Sequence, residues 1–495
     1  MKLIKSAEII DGTGKPSFRG DILIKDDRIA AIGNFSHKKF DTVINGLGLV
    51  VAPGFIDVNA NSDHYLSLFN NPAQSDFTLQ GVTTIIGGQC GSSLAPLLRG
   101  TLKSIRRWGN ENLVNLDWAT VAEFKSTLRK LGIGVNFGML AGHFTIRRDL
   151  AGEGIRDLSD GEFDIFNAVL EKEFSDGALG LASGLGYVLS RWFSHSEIKR
   201  ILSVVAASGK VYATHLRNEK DDIIPSVEET LKIAEETGIP TIISHLRPII
   251  GFEGQFLQAF TLIEEKLNKG NIYFDVNPFS ESVIPVYSLL PVWAQHGNFE
   301  VMLGTVGDSK YRQRILDDLA ELKEKLSEMT IIGAKDNEYI LGKTLQEFSE
   351  DRGMDIYSGL LNLMEITSMR SLLLHKNINQ EILSDILFHP RALIGSNGAS
   401  LLDSPRFLKP EKSTATFKKY IKLSLSRNMT LPEIIRKITS VPAKLFNINK
   451  RGILREGWFA DIAMFRNGKI ENVMINGKFA VQNGEETNIL AGTPL

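Results

Sequence analysis

The chain has a single cysteine, Cys90. An intramolecular disulfide is therefore excluded, and the composition fits a reducing compartment, so a cytoplasmic location is expected. No run of about 18 apolar residues is present, which argues against a membrane-spanning helix. The first residues, MKLIKSAEIIDG, are broken by Lys5, Ser6 and Glu8 and are too polar for a secretory leader. Charge of either sign is not in excess: 56 Lys and Arg face 58 Asp and Glu, a net charge of −2. That balance gives no electrostatic reason to expect nucleic acid or an anionic membrane as partner. Internal repeats and low-complexity tracts are also missing. What remains is the composition of a globular protein, long enough for a large barrel with an appended module.

The two ends read alike. Leu3 to Ile10, Asp21 to Lys25 and Arg28 to Ile32 alternate apolar and polar residues, with Asp26-Asp27 as a hairpin turn. Ala460 to Phe465, Ile470 to Ile475 and Lys478 to Val481 do the same around Asn476-Gly477. One β-rich module built from residues 1–52 and 450–495 is the expectation. Between them, residues 53–449 alternate strands with helices. The strand candidates are Gly81 to Gly87, Gly134 to Leu140, Ala178 to Leu181, Lys210 to Thr214, Pro240 to Ser244 and Asn271 to Asp275. Regular alternation of this kind predicts a parallel α/β fold, closed as a barrel. Residues 290–346 break the rhythm. Ile315, Leu319, Leu322 and Leu326 sit at helical spacing, so a small helical insertion is expected there.

Chemistry-bearing residues cluster at the C-terminal ends of the candidate strands, where barrel active sites form. Cys90 follows TTIIGGQ, His215 ends VYATH and His245 ends TIISH; His143 follows MLAG and Asp275 ends IYFD. Each alone has an ordinary structural explanation: a small buried thiol or a satisfied histidine. Together, one thiolate and two imidazoles from three strands make a good zinc set with an open fourth position.

These segments resemble the N-acyl-D-amino-acid deacylases, or D-aminoacylases, of the amidohydrolase superfamily. The resemblance is carried by APGFIDV at 52–58, QGVTTIIGGQCGSSLAP at 80–96, GHFTIR at 142–147 and GALGLASGLGYV at 177–188. It continues through THLRNE at 214–219, SHLR at 244–247, LLPVWAQHG at 289–297, GSNG at 395–398 and RGILREGWFADIAMF at 451–465. It implies a distorted (β/α)8 TIM barrel with a small β-sandwich formed by both termini. It also implies one tightly held zinc ion on Cys90, His215 and His245. The substrate implied is a small N-acylated amino acid or related amide.

The resemblance also shows departures. The family's His-x-His pair, which serves a second metal position, is here Asn59 and Asn61. Its Ser-Asp-Gly aspartate, the proton carrier, is Asn397. Its Asp-x-Tyr-Pro-Tyr reads Asp275-Val276-Asn277-Pro278-Phe279, which makes Asn277 a substrate-facing candidate. The nearest counterpart of its His-Pro-Arg is Ser404-Pro405-Arg406, so Arg406 is the candidate clamp for a substrate carboxylate. An amide oxygen is a weak ligand for zinc, and an amide does not titrate usefully. Asp63 shares the strand parity of Asn59 and Asn61 if the strand persists, but a local hydrogen-bonding role is expected of it. His64 has the wrong parity, and His143 is expected to position a loop. Two readings follow. One is a zinc hydrolase of C–N bonds with a rewired base. The other is a catalytically inactive binding or regulatory protein on the same scaffold.

Overall fold

The computed structural model describes residues 1–495 except 36–39, 107, 109–113, 155, 189, 268–270, 323–324, 335 and 404–406. The fold is a distorted (β/α)8 barrel. Its first strand, Phe55–Asp57, pairs in parallel with Val82–Gly87, which pairs with Asn136–Met139. The chain then kinks, and the two-residue strand Ala141–Gly142 hands the ladder to Gly180–Gly184. Val211–His215, Thr241–Ile243, Ile272–Val276 and Ala392–Ile394 follow, all parallel. The barrel closes where the Val58 N–H reaches the Ile394 carbonyl at 3.4 Å and the Asn61 N–H reaches the Gly398 carbonyl at 2.7 Å.

The strands are short and almost entirely buried, as parallel strands covered on both faces must be, and Val82–Gly87 and Thr241–Ile243 are rich in β-branched residues. The helices around them carry their own start and stop signals. In Asp160–Asp176, the Ser159 hydroxyl and the Glu162 carboxylate cap each other's backbone N–H groups. Gly177, at φ 107°, ends the helix in a left-handed turn. Phe163, Phe166, Leu170 and Phe174 form the face it buries against the barrel.

Both termini meet in one sheet. Lys2–Ile9 lies between Phe18–Lys25 and Val50–Pro53, and Val50–Pro53 pairs antiparallel with Ile462–Arg466 of the C-terminal meander. A second core lies away from the barrel. Helices Phe299–Gly307, Ser309–Ala320 and Ile356–Ile366 pack there beside an antiparallel sheet of Ser282–Pro285, Leu372–His375 and Thr330–Gly333. The helical face expected over Ile315 to Leu326 is shorter than its spacing implies. The helix ends at Ala320, and Leu326 instead opens a 3-10 turn. Ile315, Leu319 and Leu326 nevertheless share the same core, because a turn can deliver a side chain to it as well as a helix can. No helix among the described residues is long and apolar enough to cross a membrane.

One buried polar network ties the terminal sheet to the barrel. Asp461 forms an ion pair with Arg451, accepts the Asn476 N–H at 2.8 Å and accepts Asn136 Nδ2 at 3.0 Å, and Asn136 belongs to the third barrel strand. Arg451 is 4% exposed, so its charge depends on that carboxylate. Asp461→Ala is expected to cost about 3–5 kcal/mol, the usual cost of leaving one member of a buried ion pair alone. Urea denaturation of the variant measures it, and Asp461→Asn should cost less because it keeps part of the hydrogen bonding.

Candidate metal centre and its pocket

His215 is the last residue of its strand, His245 lies two residues past Thr241–Ile243 and Cys90 lies three past Val82–Gly87. One potential ligand atom from each lies within 4.8 Å of the other two, and all three residues are buried. Two of the three sit on left-handed backbone: Cys90 at φ 56° and His245 at φ 39°. For residues with a side chain that conformation costs free energy and persists where the surroundings impose it. Gly88, two residues before Cys90, passes close to the Leu140 backbone. At φ 73°, a β-carbon there would lie 2.0 Å from the Leu140 carbonyl oxygen, so only glycine lets the loop pass.

The cluster pairs a thiolate with a protonated imidazole: burial would lower His245, but hydrogen bonds and charge from Cys90 and Glu219 push it up to about 10, so a metal ion binding there would displace that proton. Burial works to raise the Cys90 thiol, but hydrogen bonds and charge from His215 and His245 outweigh it and hold the sulfur well below its ordinary range. Cys90 Sγ lies 3.5 Å from His245 Nε2. The other nitrogen of that ring, Nδ1, lies 3.2 Å from Glu219 Oε1. Nδ1 of His215 is buried without a hydrogen-bond partner. A thiolate, an imidazole oriented from behind by a carboxylate and an imidazole with an unused nitrogen match the donor set and the supporting shell of a metal site. Glu219 is the hub. Its carboxylate also receives Arg247 Nη2 at 2.6 Å and lies 3.5 Å from His215 Nε2. Burial would raise it, yet Arg247 and the two histidines keep it well below the usual carboxylate range.

The asparagines that depart from the family pattern are tied into the barrel seam. Asn397 donates its N–H to the Asn59 carbonyl at 2.8 Å. Its side-chain oxygen accepts Asn61 Nδ2 at 2.7 Å, so two of the substituted positions are bonded to each other. Asn59 Nδ2 lies 3.2 Å from both carboxylate oxygens of Asp275. Gly395 makes room for that contact, since a β-carbon there would come within 2.7 Å of Asn59 Cβ. Neutral amide donors thus face the oxygens of Asp275 and Asn397. Asn397, like Cys90 and His245, is left-handed, at φ 46°.

The remaining candidates have local roles. The first strand ends at Asp57, and Asp63 lies in the turn beyond it, where its carboxylate accepts the Gly88 N–H at 2.6 Å. Its strand parity therefore does not hold. His64 Nε2 lies 2.9 Å from the Ser92 carbonyl oxygen. His143 Nε2 lies 3.3 Å from Glu197, away from the cluster. Asn277 Oδ1 accepts the Phe279 N–H at 3.2 Å, and the residue lines a narrow pocket with His245, Asn397 and Lys412. Arg406 lies outside the described residues.

Sequence reasoning missed Glu219, Arg247 and Lys412. The first two stand inside the motifs THLRNE and SHLR, so their nearness to the histidines was available; Lys412 carried no motif. A cavity of about 1060 Å³ is lined by His215, Glu219 and Arg247 together with Tyr287, Leu290 and Gln295.

The fold and this buried cluster define a barrel of the metal-dependent hydrolase type, and the comparisons agree. The Amidohydrolase family profile matches residues 374–480. D-aminoacylase of Alcaligenes xylosoxydans xylosoxydans is 28% identical over 474 residues, covering 94% of this chain and 87% of that protein. The crystal structure of N-acyl-D-glutamate deacylase from Bordetella bronchiseptica, complexed with zinc and a phosphonate inhibitor, superposes with a TM-score of 0.82 at 23% identity. That match covers 100% of this chain and 99% of the other. A D-aminoacylase structure with a binuclear centre, described by one-metal activation and second-metal attenuation, gives a TM-score of 0.82 at 24% identity, covering 100% and 99%. The chain is homologous to the D-aminoacylases of the amidohydrolase superfamily.

The Asn59–Asp275 contact yields a pH-dependent prediction. Burial, against the opposing effect of His245 and Asn59, pushes Asp275 up to about 6. A carboxyl raised on folding contributes stability at low pH and loses it as pH rises through the folded value. Asn59→Ala removes both donors to the ionised form and should raise Asp275 further. Its cost is then small at pH 5 and reaches about 1–3 kcal/mol at pH 7.5, where an ionised Asp275 would lack its partner. Urea melts at the two pH values measure the difference; an equal cost at both would remove the assigned role.

Proposed function

We propose that the protein is a hydrolase that uses one zinc ion, held by Cys90, His215 and His245, to cleave an amide C–N bond in a small N-acylated amino acid. The observation that carries this reading is the convergence of the three ligand atoms within 4.8 Å of one another, with His215 also lining a large cavity. A thiolate with two imidazoles favours zinc over magnesium or calcium, which prefer oxygen. Bound there, zinc would polarise the scissile carbonyl and bring the pKa of water toward neutrality.

The chain's own residues divide the remaining work. Glu219 orients His245 through Nδ1 and is itself neutralised by Arg247. Asn277 offers its amide to substrate from the wall near His245, and Arg406 is assigned the substrate carboxylate. Asn59 and Asn61 contribute no second metal position. One-metal activation, as described for a D-aminoacylase, supports a site built on one ion. The hydrogen-bonded amides of Asn61 and Asn397 favour the competing reading, a binding protein, because they leave no carboxylate in the motif to move a proton.

The test combines metal content with turnover. Purified protein should contain zinc near one equivalent by plasma mass spectrometry, and Cys90→Ala should lower it to a trace. A panel of N-acyl-D-amino acids should include at least one that is hydrolysed. Zinc-free protein at full purity, after growth with zinc supplied, would overturn the metal site. Stoichiometric zinc with no hydrolysis across the panel would leave the binding reading.

A further inference from the structure

Lys412 is the second residue of helix Glu411–Ser426, and it is only 5% exposed. It lines two adjoining parts of the pocket: one shared with Asn61, His215 and Asn397, the other running toward Asn277 and Glu281. His245 and Arg247 border both. Among the described residues its Nζ makes no hydrogen bond and no ion pair, with the cluster or with anything else. Neighbouring and comparable lysines are satisfied. Lys409 pairs with Asp76 at 3.0 Å, and the buried Lys437 donates to the carbonyls of Leu387 and His389. Buried ammonium groups are ordinarily held in one of those two ways. Lys412 is instead left facing the cavity.

Its surroundings favour the neutral amine. Burial is the largest influence, followed by the charge of Arg247; together they outweigh the pull of Glu281 and Cys90 and push Lys412 down to about 7. Glu219, the nearest strong anion to Arg247, is already engaged with that arginine and His245. The N-terminal end of the helix adds positive potential. At 397, where the family pattern has a carboxylate, stands an amide whose oxygen is taken by Asn61.

We propose that Lys412 is the proton carrier of this pocket. The step rests on the deacylase reading above. A water molecule gives a proton to the Nζ lone pair as its oxygen bonds to the acyl carbon. The resulting ammonium gives that proton to the amide nitrogen as the C–N bond breaks. Water is consumed, the acid and the amine leave, and Lys412 returns to the neutral amine. A base of this kind works best with a pKa near the working pH. The alternative, a fixed cation that clamps a substrate carboxylate, needs the ammonium form throughout.

The experiment has a titration arm and a kinetic arm. Protein labelled at the lysine ε-carbon with ¹³C, without substrate, should show two resonances that titrate near pH 7, one from Lys412 that vanishes in Lys412→Met and one from the buried Lys437 that stays. Lys412 remaining cationic through pH 9 would overturn the proposal. With the substrate found in the hydrolysis screen, Lys412→Met and Lys412→Arg should each lower kcat about 10²–10⁴-fold, the typical contribution of a general base. KM should stay within about threefold, because proton carriage is not uniform binding. The wild-type rate should rise with pH through about 7, since the base form is needed, and that limb should disappear in the variants. Retained kcat with a raised KM in Lys412→Met, or full activity in Lys412→Arg, would assign Lys412 to substrate binding and overturn the proposal. Lys412→Arg keeps the comparison open if the methionine variant does not fold. The titration needs no turnover, so failure of the lysine and failure of the deacylase reading give different results.

Discussion

The architecture of the pocket depends on the seam that closes the barrel. The first and eighth strands are short, and backbone hydrogen bonds continue their pairing beyond the strand ends: Val58 to Ile394, Asn397 to Asn59 and Asn61 to Gly398. Those bonds bring Asn59, Asn61 and Asn397 to one edge of the mouth. The same closure brings Gly395 against Asn59, so the Asp275 carboxylate can reach an amide on a strand two positions away around the barrel. A barrel has no free edge, and a shift at this seam would change which side chains face inward. The seam therefore positions the substituted residues by backbone, and their side chains determine what the position does.

The substitutions have a consistent electrostatic sense. Where the resemblance implies two imidazoles and one carboxylate, this chain has three neutral amides, Asn59, Asn61 and Asn397. Each amide finds a partner: Asn61 bonds the neutral Asn397, and Asn59 bonds the Asp275 carboxylate. The Cys90, His215 and His245 cluster stands on three other strands and keeps its own supporting carboxylate, Glu219. One half of the mouth thus carries amides around a single carboxylate, Asp275, while the other carries a buried thiolate and imidazoles. The left-handed backbone at Cys90 and His245 shows how firmly the loops are held there.

Much of this was legible in the sequence because barrel strands are short apolar runs with distinct punctuation. The strand expected at Gly81 to Gly87 is Val82–Gly87, and the one expected at Lys210 to Thr214 is Val211–His215. The terminal hairpins at Asp26-Asp27 and Asn476-Gly477 followed from turn chemistry. The sheet formed by Ser282–Pro285, Thr330–Gly333 and Leu372–His375 was not legible. Its strands are four residues each and come from positions far apart in the chain, so neither periodicity nor spacing marks them. At the site, Cys90, His215 and His245 announced themselves by residue type. Asp63 did not behave as its parity implied, because the strand ends at Asp57 and the chain turns. Lys412 was invisible for a different reason. A lysine in a charged helix start reads as solvated, and only packing reveals that this one is enclosed.

That enclosure connects Lys412 to Asn397. An aspartate at 397 would line the same pocket as Lys412, and opposite charges in a poorly solvated site stabilise each other. The lysine would then be fixed as ammonium and the carboxylate as its counter-ion, leaving neither free to take up a proton at neutral pH. With the amide at 397, that stabilisation is absent, and the positive field of Arg247 and the helix end acts on Lys412 with weaker opposition. A cation at the Cys90 cluster would press in the same direction. The amide at 397 is therefore a condition for a neutral lysine here. The loss that casts doubt on chemistry in the motif is the same change that frees a second group in the pocket to perform it.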